Sequence, residues 1–234
     1  MKRLVLSLTM LAVLTTLGAQ SLEEIARKNY EATGQAAFAE AQTVTIHAKA
    51  YQGGMEIPMV ISMKKPDKVR ITMTFQGMEI IQAYDGVKGY MVNPMMGSSE
   101  AVELPPAEAA NMKNQANFTT NLTDYLKDNK LEMVGDADVG GKSAWKIKII
   151  MPTGDIAYIY IDKASYRQLK SDMSVSQMGM EINIETYLAD YATFNGLMLP
   201  KTTTSYANGT EMMMVVIEKA EVNLPMDDKI FIIK

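Results

Sequence analysis

Few residues in this sequence could carry out covalent or acid–base chemistry. His47 is the one histidine, and there is no cysteine. Without a thiol the chain can form no disulfide, thiolate metal site or cysteine nucleophile, and it cannot carry lipid on a cysteine near its N-terminus. His47 falls in a strand-like stretch, and no Gly-x-Ser-x-Gly elbow supplies a serine for it to activate. A place on a sheet wall or surface is therefore expected for it. His-Glu-x-x-His, a Walker loop and Gly-x-Gly-x-x-Gly are all missing. Asp136 and Asp138 ahead of Gly140-Gly141 are spaced like the start of a calcium loop. However, Lys142 and Ile147 stand where a carbonyl-type ligand and a bidentate acid would be needed, so a hairpin turn is expected there. Asp227-Asp228 after Pro225 reads as a turn near the C-terminal strand. These residues point to a binding protein without catalysis, metal or cofactor.

Methionine is the compositional outlier, with 21 in 234 residues. Its unbranched, polarizable side chain adapts to irregular shapes but specifies a single packing poorly, which suits a wall that must accept varied partners. Met55, Ile57, Met59, Ile61 and Met63 alternate with polar or smaller residues, and so do Val69, Ile71, Met73 and Phe75. Period-two alternation marks strands with one apolar and one wet face. Met178 and Met180 ahead of Ile182 and Ile184 suggest a third such face. The candidate lipid-binding residues are Met59, Ile61, Met63, Val69, Ile71, Met73 and Phe75, with Ile80 and Tyr90 on the strands that follow. Alternation alone leaves open whether these faces are core beneath a helix or the wall of a cavity. A large sheet curling round an apolar space serves both readings.

The elements that must position these faces can be read in order. Residues 1–20 have a basic start at Lys2 and Arg3, an apolar stretch from Leu4 to Leu17 and a small-residue cleavage signal at Leu17-Gly18-Ala19. That is the anatomy of a secretory signal peptide, too short for a comfortable membrane span, and predicts cleavage after Ala19 or Gln20. Removing Lys2 and Arg3 leaves 21 basic residues against 27 acidic ones, a net charge of −6. A mildly acidic chain without a basic patch is a poor match for nucleic acid. Ser21-Leu22-Glu23-Glu24 reads as a capping box opening a helix over 21–34, with Gly34 as its C-cap. From about residue 42 the period is that of strands. Turns are expected at Gly53-Gly54, Pro66-Asp67, Gln76-Gly77, Asp85-Gly86, Gly140-Gly141, Pro152-Thr153-Gly154, Asn195-Gly196 and Asn208-Gly209. The pattern predicts about 11–12 antiparallel strands in one domain over 21–234. A helical insertion interrupts them at about 105–127, opened by Pro105-Pro106 and striped by Phe118, Leu122, Tyr125 and Leu126.

Residues 61–94 (ISMKKPDKVRITMTFQGMEIIQAYDGVKGYMVNP) resemble the LolA-like outer-membrane lipoprotein-sorting proteins. Lys65-Pro66, Val69, Asp85-Gly86, Tyr90 and Asn93-Pro94 occupy the motif positions, and the layout of leader, helix, meander and helical insertion agrees. Lys65 stands where the family has arginine, and Val69 where it has phenylalanine. The resemblance implies a half-open β-barrel with an α-helical lid over an apolar cavity, gated through Lys65, Phe118 and Leu122. It also implies a soluble, monomeric periplasmic carrier of lipoprotein acyl chains. The partners would be an inner-membrane lipoprotein-releasing transporter and an outer-membrane acceptor. The alternative is a module of the same shape that senses lipid or lipoprotein.

Overall fold

The computed structural model describes residues 20–117, 121–177 and 180–233. The leader up to Ala19, the lid residue Phe118 and Met178 lie outside them.

Ser21 caps helix α1 (Leu22–Ala32), its hydroxyl accepting the Glu24 backbone N–H at 3.2 Å. The second half of the expected box does not form, because the Glu24 carboxylate is taken by the Gln20 amide and Lys28. Gly34 follows in the left-handed region, φ 62°, which glycine enters without steric cost. It turns the chain into a second, short helix, α2 (Gln35–Glu40), between the expected helix and the first strand.

Six strands follow: β1 (Thr43–Gln52), β2 (Met55–Lys64), β3 (Lys68–Phe75), β4 (Met78–Tyr84), β5 (Gly89–Asn93) and β6 (Ser98–Glu103). Helices α3 (Pro106–Ala116) and α4 (Leu122–Lys127) form the insertion. Seven more strands complete the sheet: β7 (Leu131–Val139), β8 (Lys142–Ile150), β9 (Ile156–Asp162), β10 (Gln168–Gln177), β11 (Met180–Phe194), β12 (Leu197–Ala207) and β13 (Thr210–Val222). Among the described residues the count is 13, against the about 11–12 expected. β6 (SSEAVE) has too little apolar alternation to announce itself.

All 13 strands join one antiparallel sheet in the order β6-β5-β4-β3-β2-β1-β13-β12-β11-β10-β9-β8-β7. Two meanders meet where β1 pairs with β13, and the edges β6 and β7 remain open. The crossing from one edge to the other is the stretch that carries α3 and α4. Asn121 caps α4 in a closed capping box with Asp124. α3 lies on β3, β4 and β5, whereas α4 packs with α1 near β7. The two inner ends of the sheet therefore have separate covers.

The outer face of β2 and β3 is held by the C-terminal segment. Arg70 donates to the Ile230 carbonyl at 2.7 Å and Lys64 to that of Met226 at 2.8 Å. Asp228 pairs with Lys64 at 2.6 Å and Lys68 at 2.8 Å. These hydrogen bonds hold its carboxyl down at about 2. Phe231 is fully buried.

Candidate functional site

Register decides which side chains share the inner face. Val44, Ile46, Ala48 and Ala50 of β1 stand opposite Met63, Ile61, Met59 and Ile57 of β2. Met59, Ile61 and Met63 in turn stand opposite Met73, Ile71 and Val69 of β3, and Ile80 faces Met73 from β4. On the other side of β1, Ala48 and Ala50 meet Ile217 and Val215 of β13. Every inward residue over 44–50, 57–63 and 69–75 is apolar. Eight of the nine candidate residues thus share one face. Tyr90 does not: it pairs with Ala83, while its neighbour Gly89 pairs with the inward Tyr84. Tyr90 therefore stands on the outer face, a correction to the expected lining.

Coverage of this face changes along its length. At the end near Lys65, Phe38 and Met112 pack with Val44, Met63, Val69 and Leu197 in the main core cluster. Toward the Gly53-Gly54 turn the helices give out. There Met73, Phe75 and Met213, all partly exposed, lean on Ala50, Ile57 and Met59. Ile61, Ile71 and Val215 touch both clusters, so the two form one continuous apolar face, packed under helices at one end and loosely covered at the other.

Two helices cover the packed end, by different means. α3 makes a close approach at Gly89, where a Cβ would lie 3.1 Å from the Ala109 Cβ and 3.2 Å from Leu104 Cδ1. It contributes mainly Ala109, Met112 and Ala116 to the core. α2 brings Phe38 and is tied down by Lys65, whose ammonium donates to the Ala39 carbonyl at the last turn of α2. A cation is favoured at a helix C-terminus. Lys65 therefore reaches a helix, α2, through the Ala39 carbonyl. Leu122 belongs to a second cluster, with Ile25, Trp145, Ile147 and Ile161, apart from this face.

A cavity of about 270 Å³ separates the two core clusters, with Phe38 and Leu199 on one side and Leu122, Tyr125 and Ile149 on the other. Most of its polar groups are satisfied. The Tyr191 hydroxyl donates to the Gln168 carbonyl at 3.0 Å, and burial pushes it up to about 12. Gln35 Oε1 is buried without a hydrogen-bond partner among the described residues.

His47 lies on the outer side of β1, 3.0 Å from Glu221. Among the described residues no group of three or more His, Cys, Asp or Glu could hold a metal ion. Asp136 and Asp138 flank the tight β7–β8 hairpin. None of the helices in the described residues is long and apolar enough to cross a membrane.

Solved structures carry the same architecture. A LolA superfamily protein from Nitrosomonas europaea superposes with a TM-score of 0.58 at 12% identity, over 88% of this chain and 97% of that one. The fold is LolA-like. A domain from Vibrio parahaemolyticus assigned to outer-membrane lipoprotein sorting gives 0.58 at 12% identity, over 90% and 95% of the two chains. A DUF1329 family protein from Desulfovibrio piger gives 0.58 at 10%, over 88% and 96%. No family model and no curated protein matches the chain. At these identities the likeness is one of fold, and the LolA-like sheet with its inner face and helical cover is what the chains share.

Proposed function

We propose that this protein is a periplasmic carrier, exported by its leader, that holds lipoprotein acyl chains in the groove between β13, β1, β2 and β3. It would take them from an inner-membrane releasing transporter and pass them to an outer-membrane acceptor. The observation that carries this reading is the unbroken apolar inner face, covered at one end by helices and at the other by no helix, where partly exposed Met73, Phe75 and Met213 lie over Ala50, Ile57 and Met59. Methionine adapts to partners of varied shape, which suits an end that must admit and release a chain.

The energetics favour exchange between helix and cargo. Each methylene removed from water contributes about 0.8 kcal/mol, so a ~16-carbon chain gains on the order of 12 kcal/mol in the groove. Docking α3 through Met112, Ala109 and Ala116 contributes only about 4 kcal/mol by the same measure. A chain entering from the loose end can therefore displace α3 with free energy to spare. The remainder is small enough for an acceptor with its own apolar surface to draw the chain off again.

The test is organic extraction of the protein purified from the periplasm of its own host, followed by mass spectrometry of the extract. The reading expects lipid or acylated peptide in stoichiometric amount, and release of a fluorescent fatty acid by synthetic lipopeptide. A protein that comes out free of lipid and binds neither probe would overturn it.

A further inference from the structure

Granting the carrier reading, we infer that Phe38 is the end-stop of the groove and sets how long an acyl chain it accepts. Three observations meet at this residue. Phe38 is 8% exposed and belongs to the core cluster at the shut end of the groove. It also lines the cavity of about 270 Å³ behind that cluster, so it is a partition with space on its far side. The helix that bears it is fastened near both ends. Lys65 holds the Ala39 carbonyl, and a Cβ on Gly34 would lie just 3.6 Å from the Met198 Cβ, which seats the start of α2 on β12. α3 rests on β3, β4 and β5 through Ala109, Met112 and Ala116. An incoming chain displaces α3 and is halted by α2.

The length this implies can be worked from the strands. From Ile57 at the loose end to Met63 at the shut end is six residue steps along β2, about 20 Å at ~3.3 Å per residue. A carbon chain with bonds of ~1.5 Å and angles of ~111° advances about 1.25 Å per carbon, so the groove matches about 16 carbons. Beyond that, further methylenes protrude or must bend. The cavity behind Phe38 is itself just below the ~300–1,000 Å³ of ordinary ligand sites. Opening it to the groove makes room for the next few carbons.

The experiment is displacement of a fluorescent fatty acid by saturated fatty acids of 12, 14, 16, 18 and 20 carbons, below their aggregation limits, on the parent and on Phe38→Ala. Affinity in the parent should rise about fourfold per methylene up to 16 carbons and then level off. In Phe38→Ala the rise should continue, with the 18-carbon acid binding about tenfold more tightly than the 16-carbon one. Full apolar burial would give about sixteenfold; the unpartnered Gln35 carbonyl on the cavity wall lowers the gain. Phe38→Leu should shift the limit partway and keeps the test open if the alanine variant does not fold. Labelling of the parent with palmitic acid bearing a diazirine at its methyl end should mark α2. If the parent binds no fatty acid, the carrier reading fails. If it binds them but the variants keep the parent's length profile, or the label marks β4 or β5 instead, the end-stop is wrong.

Discussion

Replacing Ile71 with glutamate puts a carboxylate midway along the groove, between the two clusters that Ile71 joins. The side chain is only partly buried in the closed protein, so the variant should fold. Its cost appears when a chain is laid over it. A buried carboxylate escapes desolvation by taking a proton. Holding a group of pKa ~4.3 protonated at pH 7 costs about 3.7 kcal/mol at ~1.36 kcal/mol per unit. Affinity for palmitate at pH 7 should therefore fall about 500-fold, plus a smaller loss from burying the neutral acid. At pH 5 the protonation cost shrinks to about 1 kcal/mol, and roughly a hundredfold should return, relative to the parent at the same pH. Ile71→Gln, which cannot titrate, should lose affinity equally at both. Equilibrium displacement at pH 7 and 5 reads all three proteins. Unimpaired binding by Ile71→Glu, or a loss independent of pH and equal to that of Ile71→Gln, would refute a ligand lying on this face.

Other outcomes follow from the covers. Gly89→Ala forces a Cβ against Ala109; such overpacking costs about 1–3 kcal/mol and should speed hydrogen exchange in α3 while leaving α1 unchanged. Saturation with palmitate should likewise speed exchange at residues 106–116 and spare α1 and α4, which cover the other cluster; unchanged exchange in α3 would make it a fixed part of the core. Lys65→Met should quicken exchange at 37–41 by about fivefold, a loss of about 1 kcal/mol for one exposed charge-assisted bond. Asp228, held at about 2 by Lys64 and Lys68, is a carboxyl with a lowered folded-state pKa. Its contribution is present above about 4 and fades as pH falls toward 2, so the C-terminal segment should loosen in that window, and Asp228→Asn should loosen it at pH 7. High salt should weaken the same contact, because the pair is exposed.

What could be read from the sequence was local. Gln76-Gly77, Asn195-Gly196 and Asn208-Gly209 carry positive φ at both residues, the geometry that tight hairpins demand, and each joins its expected strands. Alternation over 55–63 and 69–75 correctly put the candidate residues on one face. The failures came where a distant contact decides the structure. Tyr90 was misassigned because the loop at residues 85–88 resets which residues point inward, and only pairing with β4 shows this. α2 is six residues with no helical stripe of its own; it persists because Lys65, Met198 and the core hold it. The stretch between Gly34 and the first strand gave no hint that Phe38 would sit at the end of the groove. The half of the groove wall from β13 was also hidden, since nothing local tells the chain that β13 returns to β1.

That return has a consequence for how the protein forms. Val44 pairs with Val222, partners far apart in the sequence, while every other strand pairing joins consecutive strands. Contacts of such separation close late and slow folding. The two meanders can each assemble early, leaving the β1–β13 seam as the final step. The groove floor straddles this seam, so a chain bound across it should act on the unfolding rate more than on the folding rate. Until the seam closes, β1 and β13 are unpaired edges of apolar strands, the kind that recruit other chains. The interval before closure is when this protein is most exposed to aggregation.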